Sequence, residues 1–352
     1  MVFTNGKKVF DLVGADAVYT TCEYLKRYIT SFLTEDGFVL IDKDGTTLYT
    51  DARYTESAVK RLQGTEVTVV ETDRTIKPYE LLKKYQSVGV SLAETTATEY
   101  IKLQETGVKI IDATDCFQQA MSVKNAWELD NIQKACTIAE KAFIKLLPEI
   151  KEGMTETEVS ALLEYYMRSS GAQGLSFDTI VAFGANASVP HYETGDCKLK
   201  FGDEILIDFG CKVNGYCSDI TRTFLFGDDK KHEDFKKAYN AVLTAHELVK
   251  EKLVSGMTGK QADAIAREYL TEQGYGKLFT HSLGHGIGLN VHEYPYVSPW
   301  AEQTLVDNMV FSNEPGVYEA GKFGIRIEDT VTLENGKVKS FMSLTDKKLL
   351  IL

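Results

Sequence analysis

Two aspartates occupy the segment LIDFGCKVNGYCSDITRTF, residues 206–224, in which most other residues are apolar or β-branched. Asn214-Gly215 favours a two-residue turn between two strands. In that register Asp208 and Asp219 share one face, with Cα atoms about 7–8 Å apart. The register predicts three cross-strand pairs: Val213 with Tyr216, Gly210 with Asp219, and Asp208 with Thr221. We expect the glycine to leave open space beside both acids, which repel each other unless a proton, an arginine or a cation lies between them.

Two further acids follow in NMVFSNEPG and GIRIEDTVTL. Glu314 ends a strand that the next two residues, Pro-Gly, terminate. In the second segment, strand alternation places the polar residues on one face and the isoleucines on the other. The polar face carries Arg326, Glu328 and Thr330, and the apolar face carries Ile325 and Ile327. If both hairpins converge, four carboxylates meet. One arginine cannot neutralise four negative charges, whereas divalent metal ions can.

A fifth ligand is offered by HSLGHGIGLNVHE, residues 281–293. His285 is flanked by glycines, which let the backbone pass close to a ligand or another strand. A single histidine in such a place is more often a packed core residue, but three histidines within twelve residues, beside four placed acids, favour a ligand. His191, His281 and His292 belong to the same set. The other two histidines, His232 and His246, lie in charged helical stretches and are expected to be solvated.

Four carboxylates and one imidazole suit Mn²⁺, Co²⁺, Fe²⁺ or Zn²⁺ and disfavour a thiolate zinc site. Five ligands exceed the number that one tetrahedral catalytic zinc uses. Two metals about 3.5–4 Å apart, bridged by carboxylates, are the usual arrangement for activating water against an amide or a phosphate. The alternative is a buried network of acids and arginine without metal, in which Glu328→Ala disturbs folding and leaves the divalent-ion content at zero.

An internal repeat surrounds these residues. EGMTETEVSALLEYYMRSSGAQG (152–174) is echoed by SGMTGKQADAIAREYLTEQGYG (255–276). In each copy a threonine can cap a helix, with a capping-box partner three residues on: Thr155 with Glu158, and Thr258 with Gln261. Apolar residues then recur at helical spacing, and a long amphipathic helix precedes each copy, at about 125–147 and 232–252.

The echo extends to VPHYE around His191 and NVHEY around His292, and to DFG at 208–210 and EPG at 314–316. Two copies about a hundred residues apart indicate a pseudo-two-fold domain at 122–352. The alternative is a chance similarity of two helix-capping sequences. Residues 1–121 alternate short β-rich runs with helical stretches, and no histidines, cysteines or acids cluster there in a way that suggests chemistry. This pattern indicates a smaller α/β domain that covers or shapes the other domain or mediates its dimerisation. Its expected strands are DAVYT, GFVLID, TTLYTD, EVTVV, SVGVS and KIIDA, and its expected helices are ARYTESAVKRL, YELLKKY and TTATEYIKLQE.

The composition argues against several classes of function. A net charge of −12 repels phosphate backbones and anionic lipid, so we expect neither nucleic acid nor membrane as a partner. The amino-terminal segment is not expected to be a signal peptide, and no apolar run approaches the length of a membrane span. The six cysteines contain no Cys-x-x-Cys pair, which favours free thiols in a reducing cytosol. We therefore expect a cytoplasmic protein.

The five expected ligands, in the contexts IDFG…GYCSDITRTF, HSLGHGIGLNVHE, EPGVY and GIRIED, resemble the pita-bread metallopeptidases. The resemblance is greater to the Xaa-Pro aminopeptidase and prolidase branch than to methionine aminopeptidase, and it covers about residues 125–350. It implies an α/β (α+β) fold with a carboxy-terminal pseudo-two-fold pita-bread domain and a smaller amino-terminal creatinase/prolidase-like domain.

The resemblance also implies a role for each matching residue. Asp219 and Glu328 would bridge two metals, Asp208 would bind one of them, and His285 and Glu314 would bind the other. Glu314 would also be the general base. The expected substrate-contacting residues are His191 and His292, which would stabilise the tetrahedral intermediate, and His281, which would lie near the scissile end. Arg326 would orient a bridging carboxylate.

The implied activity is that of a dinuclear-metal exopeptidase that hydrolyses the X–Pro bond, at the amino terminus of peptides or in dipeptides, by a metal-bridged hydroxide. Mn²⁺ is the first expectation for the metal, short proline-containing peptides for the substrate and a homodimer for the assembly. The alternatives are a metal-free creatinase-like amidinohydrolase and a non-catalytic binding protein of the same fold, both of which would be expected to have lost acids. Asn313 stands where the family more often has an apolar or small residue, and alternation points its side chain away from Glu314. The choice between aminopeptidase and dipeptidase stays open.

Overall fold

The computed structural model of the chain describes residues 3–73, 77–227 and 233–352. The chain folds into two compact units, Met1–Met121 and Ser122–Leu352. The division falls where the β-rich alternation of the first part gives way to the internal repeat.

The first unit contains a six-stranded sheet in the order β4-β3-β2-β1-β5-β6. Its strands are β1 Ala17–Thr20, β2 Phe38–Asp42, β3 Gly45–Thr50, β4 Val67–Glu71, β5 Ser87–Val90 and β6 Lys109–Asp112. The three middle strands pair antiparallel, and the pairs toward both edges are parallel. All six strands were predicted from their composition.

Among the residues that the structure describes, six α-helices accompany this sheet: α1 Gly6–Val13, α2 Glu23–Thr30, α3 Ala52–Leu62, α4 Pro78–Leu82, α5 Ala97–Glu105 and α6 Thr114–Ser122. The predicted helices correspond to α3, α4 and α5. Of the helices that sequence reasoning missed, α1 and α2 have eight residues each, and their N-cap residues, Asn5 and Cys22, make no side-chain capping hydrogen bond. A helix this short owes its stability to packing on the sheet and carries little local signal.

In the described part of the second unit, four long helices form two pairs: α7 Ala126–Leu146 with α8 Glu156–Ser169, and α9 Glu233–Lys252 with α10 Gly259–Glu272. Both predicted capping boxes are present at Thr155 and Thr258, and a third is present at Asn125. Ile132, Cys136 and other residues at helical spacing bury one side of α7. Within the described ranges, no helix is both long enough and apolar enough to cross a bilayer.

Each helix pair is followed by β-structure. The first half contains β7 Gly174–Leu175, β8 Ile180–Phe183, β9 Asp203–Phe209, β10 Cys211–Val213, β11 Tyr216–Cys217 and β12 Ile220–Phe226. The second half contains β13 Gly284–Gly286, β14 Glu293–Val297, β15 Val310–Asn313, β16 Gly316–Glu319, β17 Phe323–Arg326, β18 Asp329–Glu334 and β19 Lys337–Ser340. The main sheets have the orders β12-β9-β8 and β14-β13-β15-β18-β19.

The hairpin that carries the two aspartates has the predicted register. Val213 pairs with Tyr216 and Asp208 pairs with Thr221. Asn214 and Gly215 have φ angles of 47° and 85°, as the mirror-image turns of two-residue hairpins require. The expectation of open space at Gly210 is wrong, because a Cβ atom there would lie 2.0 Å from the Ser218 carbonyl oxygen. Glycine is needed at this position for close backbone contact.

A second expectation fails for one histidine outside the cluster. His246 on α9 is 1 % exposed, because the side of the helix that carries it faces the core although neighbouring residues are charged. Asn313 points to this helix and donates from Nδ2 to the His246 carbonyl oxygen at 3.1 Å, on the side away from Glu314, as alternation predicted. His232 lies outside the described residues.

Candidate active site

Nine side chains selected from the sequence line one cavity of about 450 Å³ in the second unit. They are the five expected ligands and the four other expected site residues: Asp208, Asp219, His285, Glu314 and Glu328, then His191, His281, His292 and Arg326. Residues separated by more than a hundred positions therefore share one concave, largely apolar surface, which is the usual setting of a ligand site.

Hydrogen bonds between the two halves of the unit bring the acids together. Asp219 precedes β12 and Glu328 precedes β18, so each lies where a strand begins. The Glu328 backbone N–H donates to the Thr221 carbonyl oxygen at 3.1 Å. Thr330 donates from Oγ1 to the Asp219 carbonyl oxygen at 2.8 Å and accepts from the Asp219 N–H at 3.1 Å. These bonds fix the separation of the two carboxylates.

Three side chains form a group with the geometry of a metal site. Asp219, His285 and Glu328 each offer one ligand atom, and these atoms all lie within 4.8 Å of one another. His285 Nε2 also lies 3.3 Å from Glu314 Oε1 and 3.7 Å from Asp219 Oδ2. Two oxygen ligands, one nitrogen ligand and a further acid therefore surround one small volume.

The acids repel one another strongly. Burial, and then the charges of Glu328 and Asp208, raise the pKa of Asp219 well above its ordinary value. Burial and repulsion by Glu314 and Asp208 raise the pKa of Glu328 in the same direction. Burial also raises the pKa of Asp208, although Arg326 opposes the shift. Such a cluster attracts positive charge.

His285 and Glu314 each stabilise the charged form of the other. Burial by itself would lower the pKa of the imidazole and raise that of the carboxyl group. Their hydrogen bond and opposite charges reverse both effects, so the pKa of His285 is raised and that of Glu314 is lowered to about 2. Ser312 orients the carboxylate, since its hydroxyl donates to Glu314 Oε1 at 2.8 Å.

The donor set fits a divalent metal. Carboxylate oxygens with one imidazole are ligands for Mn²⁺, Co²⁺, Fe²⁺ and Zn²⁺. Asp208 Oδ2 accepts a hydrogen bond from Arg326, but Oδ1 is buried and has no hydrogen-bond partner among the described residues. A buried carboxylate oxygen without a donor is costly, and a cation ligand would satisfy it.

Arg326 connects several parts of the site. Its Nη2 donates to Asp208 Oδ2 at 2.7 Å and its Nε donates to Thr221 Oγ1 at 2.9 Å. Its direct carboxylate partner is therefore Asp208, not one of the two acids expected to bridge the metals. Thr221 links Arg326 to Glu328 by hydrogen bonds, since its hydroxyl also donates to Glu328 Oε2 at 2.6 Å.

The histidines lie at different depths. His292 packs edge-on against His285 with ring centroids 4.1 Å apart, and burial, followed by the His285 charge, lowers the pKa of His292 to about 4. Its ring is therefore neutral near pH 7. His281 Nε2 lies 3.0 Å from the Tyr318 hydroxyl, and burial lowers the pKa of His281. His191 is exposed at the cavity wall.

Sequence reasoning missed three polar side chains that support the site. Thr221 was placed opposite Asp208 in the predicted register, which was a usable signal for its contact with the acids. Tyr318, whose hydroxyl accepts from Arg326 Nη1 at 2.7 Å, is in the quoted EPGVY motif, but sequence reasoning assigned it no role. Ser312 lies two residues before Glu314 on the same strand face, so alternation could have identified it.

Comparison with known proteins supplies the family. Residues 130–335 match the model of metallopeptidase family M24, and residues 8–120 match that of the creatinase/prolidase N-terminal domain. The chain belongs to family M24. The match confirms both the predicted resemblance and the predicted fold class, a pita-bread domain preceded by a smaller creatinase-like α/β domain.

Relatives cover nearly the whole chain. A protein named Xaa-Pro dipeptidase from Pyrococcus furiosus is 37% identical over 316 residues, 89% of each chain. A solved structure of Xaa-Pro dipeptidase from Bacillus anthracis is 34% identical, with a TM-score of 0.92 and 99% of each chain covered. A solved structure of X-Pro aminopeptidase from Thermotoga maritima is 35% identical, with a TM-score of 0.89, covering 98% of this chain and 100% of that one.

Membership of family M24 makes the chain a metallopeptidase, and therefore an enzyme that uses divalent metal ions. The buried group of Asp219, His285 and Glu328 is the place in the described structure that could bind metal.

Proposed function

We propose that this M24 enzyme hydrolyses the X–Pro bond of short proline-containing peptides and uses two divalent metal ions to do so. The observation that carries the proposal is the convergence of Asp219, His285 and Glu328 within 4.8 Å, in a cavity that Asp208 and Glu314 also line. The proline preference is supported by the relatives, which are named Xaa-Pro dipeptidase and X-Pro aminopeptidase.

The side chains that would hold the ions are Asp208, Asp219, His285, Glu314 and Glu328, which line the same cavity. When bound, two such ions would make a water molecule nucleophilic near neutral pH and stabilise negative charge on the carbonyl oxygen. Mn²⁺ is the proposed metal, with Co²⁺, Fe²⁺ or Zn²⁺ as the other candidates for this donor set.

Protein groups would carry the remaining steps. Glu314, held by Ser312, would accept a proton from the attacking water. His292 is neutral near pH 7 because its pKa is about 4, so it would donate a hydrogen bond to the oxyanion without a change of charge. His191, which also lines the cavity, would donate a second hydrogen bond, and together these two donors would stabilise the tetrahedral intermediate.

Peptide hydrolysis with defined metal content tests the proposal. The protein is treated with EDTA, dialysed, and assayed with Ala-Pro, Met-Pro and Ala-Pro-Ala, with and without added Mn²⁺. We expect turnover of at least one peptide that EDTA abolishes and Mn²⁺ restores. The absence of turnover with every peptide would contradict the proposal, and turnover of creatine in its place would support the amidinohydrolase.

The same assay separates the two activities named among the relatives. A dipeptidase cleaves Ala-Pro and rejects Ala-Pro-Ala, whereas an aminopeptidase cleaves the tripeptide. We also propose that the protein is cytoplasmic, which its six free cysteines support, and that it is a homodimer, which the resemblance supports. Light scattering on the purified protein measures the oligomeric state, and a monomer at micromolar concentration would contradict the homodimer.

A further inference from the structure

A buried carboxylate outside the cavity binds the chain segment that carries His191. Glu156 is the first residue of α8, and it is fully buried. An ionised side chain in such a place is expensive unless hydrogen bonds satisfy it. The metal chemistry proposed above does not use this residue.

Four donors converge on the Glu156 carboxylate, and all belong to residues 183–195, here named the His191 segment. Oε1 accepts from the Phe183 backbone N–H and from Asn186 Nδ2, both at 2.9 Å. Oε2 accepts from the Tyr192 hydroxyl at 2.9 Å and from the Gly195 backbone N–H at 3.1 Å. One side chain therefore holds the beginning and the end of the segment.

These bonds fix the backbone on one side of His191. Tyr192 is the next residue, and its hydroxyl also accepts from Asn186 Nδ2 at 2.9 Å. Burial, followed by the Glu156 carboxylate, raises the pKa of Tyr192 to about 12, so the hydroxyl keeps its proton and remains the donor. On the other side, the Pro190 carbonyl oxygen accepts from Arg326 Nη1 at 3.3 Å.

His191 is itself exposed, so its position at the cavity wall depends on its neighbours. The arginine that binds Pro190 also binds Asp208 at 2.7 Å. Arg326 therefore ties the segment to the metal-ligand side of the cavity, and Glu156 ties it to α8. A side chain bracketed in this way is held ready before substrate binds, and a displacement near 1 Å in such a group can reduce a rate by about a hundredfold.

The second half of the unit uses a carboxylate on the corresponding helix in a similar manner. Asp263 on α10 is buried and accepts from the Leu283 backbone N–H at 2.9 Å. It also binds Arg267, whose Nη2 donates to the His281 carbonyl oxygen at 2.8 Å. In each half, a buried acid of the helix therefore fixes a segment that carries a cavity histidine.

We propose that Glu156 is a positioning residue for the X–Pro reaction and that it acts through His191, an inference that rests on the function proposed above. Glu156→Gln replaces one acceptor oxygen by an amide nitrogen that cannot accept, so two of the four donors lose their partner. The matched control is Glu158→Gln, an exposed residue of the same helix. The equivalent capping box on α10 already contains glutamine at this position, Gln261.

The test is a double-mutant cycle with His191→Ala, measured as kcat/KM for the best X–Pro peptide. We expect Glu156→Gln to lower kcat/KM about tenfold or more in the wild-type background and less than about twofold in the His191→Ala background, because the group through which it acts is then absent. Tyr192→Phe, which removes one donor, should give a smaller loss. Glu158→Gln should retain wild-type kcat/KM. Equal losses in both backgrounds, or no loss from Glu156→Gln, would overturn the proposal.

Two measurements on the same variants do not depend on turnover. Hydrogen–deuterium exchange should accelerate about tenfold in peptides covering 183–195 in Glu156→Gln, while the Mn²⁺ affinity measured by calorimetry stays within about twofold of wild type. Unchanged exchange would overturn the proposal even if turnover fell. If the wild type cleaved no X–Pro peptide, the proposed function would fail, and the exchange result alone would decide whether Glu156 fixes the segment.

Discussion

Thr221 donates its hydroxyl proton to Glu328 Oε2 across 2.6 Å, although the two residues are 107 positions apart. The Thr221 hydroxyl also accepts a hydrogen bond from Arg326 Nε at 2.9 Å. Because the arginine donates to the hydroxyl oxygen, the hydroxyl proton is directed to Glu328. Thr221 therefore relays the orientation of the guanidinium to the carboxylate. Supports of this kind around metal ligands commonly affect metal affinity.

Thr221→Val removes this hydroxyl at nearly constant volume. We expect the Mn²⁺ affinity to fall about 10- to 100-fold, because Glu328 loses the donor that orients it. Calorimetric titration of the EDTA-treated protein measures the change. Thr221→Ser keeps the hydroxyl and should bind Mn²⁺ like the wild type, so equal affinities for the valine and serine variants would refute the relay.

Asp219→Asn has opposite effects on the metal-free and the metal-bound protein. Without metal, Glu328 and Asp208 repel the Asp219 carboxylate, so we expect the amide to raise the free energy of unfolding. With Mn²⁺ at about a hundred times its Kd, the wild type should gain about 2.7 kcal/mol and the variant far less, because it has lost a ligand. Thermal unfolding with and without Mn²⁺ measures both effects. The exposed Asp130→Asn should keep the wild-type response, and an equal Mn²⁺ response in Asp219→Asn would rule out this acid as a ligand.

Local signals explain why parts of this structure could be predicted. The Asn214-Gly215 turn determines the register of one hairpin, and that register places Asp208 opposite Thr221. The two threonine capping boxes identify the starts of α8 and α10. Such features depend on residues that are close in the chain, so composition and spacing are sufficient to predict them.

Interactions between residues that are distant in the chain could not be predicted from local sequence patterns. The burial of His246 depends on which side of α9 faces the core, and the close approach of Ser218 to Gly210 depends on backbone geometry. The pairing of Arg326 with Asp208, 118 positions apart, depends on how two hairpins meet, which no local pattern specifies. The four bonds to Glu156 are of the same kind.

Burial of Cys211, in the hairpin that carries the two aspartates, should make the stability of the protein depend on pH. The residue is fully buried, and burial raises the pKa of its thiol to about 12. Below about pH 9 the thiol is protonated in both the folded and the unfolded state. Between about pH 9 and 12 the unfolded state loses the proton and the folded state keeps it, so the folded state loses stability as the pH rises. The difference in free energy of unfolding between wild type and Cys211→Ala should therefore fall by about 1.4 kcal/mol per pH unit above about pH 9. Urea unfolding at pH 8, 9 and 10 measures it, and a difference independent of pH would contradict the burial argument.

Lys124 and Glu293 form a buried ion pair beside His292, with Nζ and Oε1 2.8 Å apart and side-chain exposures of 1 % and 8 %. Lys124→Met leaves a buried carboxylate without its cation, so we expect a loss of about 3–5 kcal/mol in the free energy of unfolding. Adding Glu293→Gln removes the unpaired charge and should recover part of that loss. Urea unfolding of both single variants and the double variant gives the coupling energy.

The exposed pair of Lys134 and Asp130 supplies the control, because Lys134→Met should cost less than about 1 kcal/mol. A loss from Lys124→Met no larger than that from Lys134→Met would contradict the stabilising role of the buried pair.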